Sequence, residues 1–315
     1  LVRCRGLGDV YKRQTMPSWQ SYLVNPLLRV FVKRKLARAF TPQQARAAFS
    51  RRPPQAVPGV AFTAAQEGGV PGEWARQPGH AGRVMLYLHG GGYFACSPAT
   101  HRPITGGFAR LGFSVFAPDY RLAPEHPFPA AVEDALAAYR GLLAAHGARH
   151  LMVAGDSAGG GLALALMLAA REAGLALPAG LVLFSPWTDL AATGASVKTN
   201  AKRDAMLIGH RIEEAASHYL GKASARNPLA SPLYGDLHGL PPMLVQVSDS
   251  EILLDDSTRL AAKVRQAGGE VELSIWPGLP HVWQISQSFL PEAREALAQA
   301  GRFARSALAS AAVPA

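Results

Sequence analysis

The stretch Leu151–Ala170, LMVAGDSAGGGLALALMLAA, decides how the chain is read. It opens on a short apolar run, LMVA, with the character of a buried strand. It closes on GLALALMLAA, a run dominated by strong helix formers. Between them stands Gly155-Asp156-Ser157-Ala158-Gly159, a G-x-S-x-G turn. With a strand before it and a helix after it, this pattern predicts a nucleophile elbow. The flanking glycines relieve crowding at a turn too tight for side chains. The Ser157 hydroxyl is lifted clear of the strands, and the helix N-terminus behind it favours developing negative charge.

Working outward, short apolar runs alternate with longer helical patterns. The strand-like runs are Val84–Leu88, Phe113–Ala117, Leu151–Ala154, Leu181–Phe184, Met243–Val247 and Val271–Ile275. Several are apolar on both parities, as in a parallel sheet covered on both faces. Helices are expected at Arg102–Arg110, Ala130–His146, Ser157–Ala173, Ser257–Ala267 and Pro291–Leu308. The alternation predicts a doubly wound α/β fold. Val57–Ala65 and Glu73–Arg76 are expected to add leading antiparallel strands. Residues 17–50 read as helices, with Pro17–Phe40 amphipathic and Thr41-Pro42 as a cap and first helical position. Residues 190–230 are polar and mixed, with a helix expected at Arg211–Leu220. Both segments fall outside the alternation, and both suit a lid over one edge of the core.

Composition limits the partners. The chain has 315 residues, 49% hydrophobic and 17% charged, with a net charge of +10, which excludes a disordered tail or a disulfide-stapled miniprotein. The charge is local: residues 1–52 carry 12 Lys/Arg and one acid, whereas residues 53–315 carry 20 Lys/Arg and 21 Asp/Glu. Nucleic acid is therefore not an expected partner, because phosphate binding needs basic residues clustered on the body that docks. Leu1–Thr15 reads as translated adaptor sequence, a non-native leader with the natural start at Met16. Cys4 and Cys96, far apart, fit a reducing compartment. The uncharged run Ala158–Ala170 is too short to span a bilayer, and no leading charge marks the apolar segment Tyr22–Val32 as a signal peptide. A cytoplasmic location is expected. Val30–Arg38 allows a basic amphipathic helix on an anionic membrane, although a solvated cap helix is the preferred reading.

A second signal, His89-Gly90-Gly91-Gly92, follows the run Val84–Leu88 directly. Backbone N–H groups of Gly90, Gly91 and Gly92, with that of Ala158, suit an oxyanion hole, where each donor is worth about 3–4 kcal/mol. Phosphate-binding glycine patterns are absent. His89 reads as a residue that orders the loop. Of ten histidines, His281 stands just past the last strand, at the carboxyl end of the sheet, and is last in the chain order Ser, acid, His. The acid is sought after Met243–Val247, among Asp249, Glu251, Asp255 and Asp256. The last two suit a helix start. Spacing alone does not separate Asp249 from Glu251.

With these residues in place, the chain resembles the hormone-sensitive-lipase-like (bacterial family IV) esterases of the α/β-hydrolase fold. The likeness covers about residues 75–310 and rests on YLHGGGYFACS (87–97), DYRLAPEHPFPAAVEDA (119–135), VAGDSAGGGLA (153–163), SPWTDL (185–190) and SPLYGDLHGLPPMLVQVSDSEILLDD (231–256). It implies a mostly parallel eight-stranded sheet flanked by helices. The cap would comprise residues 16–50 and an insertion at about 190–230 in a catalytic domain of residues 51–315. In the family the acid lies about thirty residues before the histidine in a D-P-L-x-D-E stretch. Register therefore implies Glu251, thirty residues before His281, in place of the usual aspartate. Asp249 remains the rival, and Asp156 is expected to be structural. The implied activity is hydrolysis of short-to-medium-chain acyl esters by Ser157, His281 and Glu251, with no metal or organic cofactor. A small-molecule ester is the expected partner, with a homodimer left open. Other acyl hydrolases of the fold (deacetylase, amidase, lactonase) and a receptor-like binding module are the alternatives.

Overall fold

Strand residues that are apolar on both parities require two buried faces, and the molecule supplies them. A computed structural model describes residues 18–38, 41–50, 56–79 and 83–312. The strands are β1 (Ala61–Glu67), β2 (Val70–Arg76), β3 (Val84–Leu88), β4 (Ser114–Pro118), β5 (Leu151–Asp156), β6 (Gly180–Phe184), β7 (Met243–Ser248) and β8 (Val271–Trp276). They form one sheet in the order β1-β2-β4-β3-β5-β6-β7-β8. The β1–β2 and β2–β4 pairs are antiparallel. From β4 to β8 every pair is parallel. The first two strands differ from the expected Val57–Ala65 and Glu73–Arg76. A tight Gly68-Gly69 turn, both residues at positive φ, pairs Glu67 with Val70, so the first strand runs on to Glu67 and the second already begins at Val70.

The helices are α1 (Trp19–Leu28), α2 (Arg34–Arg38), α3 (Pro42–Ser50), α4 (Arg102–Arg110), α5 (Ala130–His146), α6 (Ala158–Glu172), α7 (Ser196–Thr199), α8 (Ile212–Leu220), α9 (Leu254–Gln266) and α10 (Pro291–Ala312). One face of the sheet packs Leu86, Leu88 and Val153 against α5, α6 and α9. The other packs Met85, Tyr87, Met152 and Ala154 against Ile104 and Phe108 of α4 and Leu297 of α10. Alternate residues of a single strand thus serve two cores.

The two segments outside the alternation pack on each other. A π-helical turn at Arg29–Lys33 joins α1 to α2. The Lys33 Nζ donates to the carbonyls of Ala201 (2.9 Å) and Asp204 (2.7 Å). Arg211 returns a bond to the Leu36 carbonyl at 2.9 Å. At the head of α3, Thr41 and Gln44 exchange backbone N–H and side-chain bonds, a capping box. Residues 1–15, Met16 and Cys4 lie outside the described residues. Cys96 has no disulfide partner among them.

Chain order places β4 and β5 on opposite sides of β3, so the winding reverses there. Crevices at such a reversal, at the carboxyl ends of the strands, are where α/β sheets bind ligands. Pairing of Leu88 with Gly155 sets the loops after β3 and β5 side by side. Those are the HGGG loop and the elbow.

Candidate active site

The elbow is a backbone feature before it is a chemical one. Ser157 sits at φ 52°, ψ −121°, a conformation that costs a non-glycine residue about 1–3 kcal/mol. The surroundings hold it there: its N–H donates to the Phe184 carbonyl and its own carbonyl accepts from Trp187, both at 2.8 Å. A side chain at Gly159 would put its Cβ 2.0 Å from the Leu88 carbonyl oxygen, so the helix reaches the sheet only with glycine there.

His281 stands behind the serine. Its Nε2 lies 2.9 Å from Ser157 Oγ and its Nδ1 lies 2.6 Å from a Glu251 carboxylate oxygen. A carboxylate accepts but does not donate, so Nδ1 carries the ring proton and Nε2 is left as the acceptor for the serine hydroxyl. The other Glu251 oxygen accepts from Ser185 Oγ (2.8 Å) and the Ser248 N–H (2.7 Å). Glu251 is completely buried. Burial raises its carboxyl above the ordinary value, against the pull of His281. For His281, burial works downward, but the Glu251 carboxylate outweighs it and the imidazole ends above its usual value. The loop bearing His281 is pinned by Leu279 N–H to Ser248 Oγ (2.9 Å) and Ser250 Oγ to the Leu279 carbonyl (2.8 Å).

Asp249 lies elsewhere. Its partly exposed carboxylate accepts from the Gly278 N–H at 2.9 Å and pairs with Arg203 at 3.3 Å. Asp255 and Asp256 open α9, where Asp256 accepts the N–H groups of Thr188 (2.7 Å) and Asp189 (2.9 Å).

The three glycines of the HGGG loop divide. Gly90, expected among the oxyanion donors, has its N–H committed to Asp156 at 3.1 Å. The elbow brings that carboxylate under the loop, and a buried acid takes the nearest donor. Among the described residues, the N–H groups of Gly91 and Gly92 have no hydrogen-bond partner. Ala158 opens α6, where helical N–H groups lack intrahelical acceptors. Asp156 also accepts from Tyr87 (2.6 Å) and pairs with His101 (3.3 Å). His89 is buried and held neutral, its pKa lowered to about 3 by burial and by His101. Its Nδ1–H donates to the Gly90 carbonyl at 2.8 Å, while its ring stacks on Tyr120 at 4.3 Å.

Sequence reasoning did not find Ser185, Asn200 and Asp204. Asn200 Nδ2 donates to the carbonyls of Asp249 (3.0 Å) and Glu251 (2.8 Å). The buried Asp204 carboxylate accepts the Ile252 N–H at 3.0 Å. Together they hold the acid-bearing loop from the inserted segment. Ser185 had one available signal, its place at the end of the strand next to the nucleophile strand. Asn200 and Asp204 stand in irregular chain and had none. Among the described residues, no group of three or more His, Cys, Asp or Glu side chains could hold a metal ion.

The sequence and the fold have counterparts among known proteins. A family model for the α/β hydrolase fold matches residues 85–285. An acetyl-hydrolase of Streptomyces hygroscopicus is 47% identical over 75% of this chain and 79% of its own. An esterase of Acinetobacter venetianus is 36% identical over 91% of this chain and 97% of its own. The crystal structure of an esterase from the bacterial hormone-sensitive lipase family superposes with a TM-score of 0.85 at 41% identity, covering 93% of this chain and all of that one. The chain belongs to the α/β-hydrolase family, in its hormone-sensitive-lipase branch of bacterial esterases. Its enzyme class is that of a carboxylic ester hydrolase.

Proposed function

We propose that the chain hydrolyses short-to-medium-chain acyl esters through an acyl-enzyme on Ser157. The observation that carries this reading is the position of His281, which touches Ser157 and Glu251 through its two ring nitrogens at 2.9 and 2.6 Å. Ser157 Oγ attacks the ester carbonyl as His281 Nε2 takes its proton, and Glu251 steadies the imidazolium. The oxyanion is held by the N–H groups of Gly91, Gly92 and Ala158, with Gly90 anchoring the loop. Collapse breaks the bond to the alcohol oxygen, which leaves with the proton from His281. Water then attacks the acyl-serine, giving its proton to the same nitrogen, and the acid departs as the serine is restored.

The short acyl range is supported by the inserted segment, which closes on the oxyanion loop. Tyr219 of α8 stacks on Tyr93 at 3.7 Å with the rings 6° from parallel, and His218 meets Phe94 edge-on. The Streptomyces relative, an acetyl-hydrolase, points the same way. We take residues 16–50 and 190–230 together as the cap over this mouth. A p-nitrophenyl ester series from acetate to palmitate tests the range. The expected optimum lies at short chains, and a palmitate optimum with interfacial activation would contradict it.

A further inference from the structure

The outward face of α1 carries more apolar surface than a solvated helix tolerates. Among the described residues, seven large apolar side chains are exposed, and six of them are Trp19, Tyr22, Leu23, Leu27, Val30 and Phe31. Trp19 and Tyr22 are each 66% exposed and Phe31 is 57% exposed. Spacings of three and four residues put the first four on one side of the helix. The opposite side is occupied: Val24 and Leu28 pack with Trp276, Leu279 and Trp283, and Asn25 Nδ2 donates to the Gly278 carbonyl at 2.7 Å. The apolar residues therefore face out because the inner face is already docked. A contiguous apolar patch of this kind marks an interaction site.

Charge identifies the occupant. Exposed Arg29, Arg34, Lys35 and Arg38 follow the apolar half, and residues 16–52 contain eight Lys/Arg and no acid. Aromatic and aliphatic side chains beside a cationic stretch form the surface that lies at an anionic lipid–water boundary, rings among the headgroups and cations on the phosphates. A second copy fits less well, since a two-fold contact would bring two strongly cationic arms together. No described helix is long and apolar enough to cross a membrane, so the contact would be peripheral.

We propose that α1 and α2 form a peripheral docking surface for anionic membranes. Because α1 bonds to the loop that carries His281, docking would hold the catalytic body directly at the lipid surface.

Co-sedimentation of the full chain with vesicles tests this, using phosphatidylcholine alone or mixed with phosphatidylglycerol, at low and high salt. The wild type is expected to bind the mixed vesicles at low salt and to release them at high salt. A Trp19→Ser/Leu23→Ser/Leu27→Ser variant should bind them at least about tenfold more weakly. An Arg34→Gln/Lys35→Gln/Arg38→Gln variant should lose roughly a hundredfold, about fivefold per cation. Both should keep the wild-type circular dichroism spectrum and Tm, which shows that they fold. Failure of the wild type to bind, or equal binding by the variants, would overturn the proposal. So would a wild-type dimer in light scattering that the serine variant converts to monomer, since the face would then belong to a second copy.

Discussion

The Asp156 carboxylate accepts the backbone N–H of Gly90 at 3.1 Å, joining the residue before the nucleophile to the first glycine of the HGGG loop. Tyr87 and His101 complete the carboxylate's shell. The elbow and the HGGG loop are thus one fixed unit, and among the described residues the N–H groups of Gly91 and Gly92 have no partner. Burial opposes the Asp156 charge, but His101 and the hydrogen bonds outweigh it and hold the carboxyl below its ordinary value.

Asp156→Ala leaves the Gly90 N–H and the Tyr87 hydroxyl without that partner and frees the loop. Loss of oxyanion alignment is expected to lower kcat by about ten- to a hundredfold with KM little changed. Asp156→Asn, which keeps one acceptor, should recover part of that loss. Steady-state kinetics on p-nitrophenyl acetate separate the cases, and a change confined to KM would show that Asp156 acts on substrate binding instead.

Glu251→Ala is expected to lose far more activity than Asp249→Ala, because Glu251 faces His281 whereas Asp249 faces Gly278 and Arg203. By analogy with loss of the orienting carboxylate in serine hydrolases, Glu251→Gln should lower kcat about 10⁴-fold. The reverse order of the two alanine variants would transfer the acid role to Asp249.

The pH profile follows from the same pair. The proposed mechanism requires neutral His281, and the Glu251 carboxylate holds the imidazole above its ordinary value. The rate should therefore rise with pH through an acid limb whose midpoint lies above about 6.5. In Glu251→Gln the largest upward pull is lost while burial remains, so the limb should move to lower pH. An unmoved limb in the residual activity would mean that another group controls it.

Asp256 offers a stability test away from the chemistry. Burial raises its carboxyl to about 7, in spite of the N–H groups of Thr188 and Asp189. Its folded value lies above the unfolded value of about 3.9, so the charged form is disfavoured in the folded state. Its contribution to stability is greatest below pH 4 and declines as pH rises to about 7, then levels. Asp256→Asn removes that decline. The Tm of the variant relative to wild type should climb between about pH 4 and pH 7 and then level, and a constant difference would show that Asp256 does not titrate in this range.

The elbow was legible in sequence because the backbone leaves little choice there: the tight approach of Gly159 to Leu88 needs glycine, and the strand and helix on either side have clear periods. Glu251 and Asp249 were not separable by spacing because both follow β7. The fold separates them through local hydrogen bonds: the Asp249 N–H bonds to the Trp276 carbonyl beside β8, whereas the Glu251 N–H turns back to Ser248. Three successive glycines likewise do not reveal which N–H is already taken; that depends on where β5 delivers Asp156. For α1, periodicity marked an apolar face, but its direction was set by the competing contacts of Val24, Asn25 and Leu28. Asn200 and Asp204 act across distant loops, which no local pattern records.

The central claim is that Ser157 becomes acylated, and an organophosphate ester that traps activated serines addresses it directly. After inactivation with diethyl p-nitrophenyl phosphate, peptide mass spectrometry should locate a single diethylphosphoryl group on Ser157, in step with loss of activity. Ser157→Ala, folded by circular dichroism, should take up no label and hydrolyse no p-nitrophenyl butyrate above background. A label on another residue that tracks inactivation, or near-wild-type hydrolysis by Ser157→Ala, would contradict the assignment.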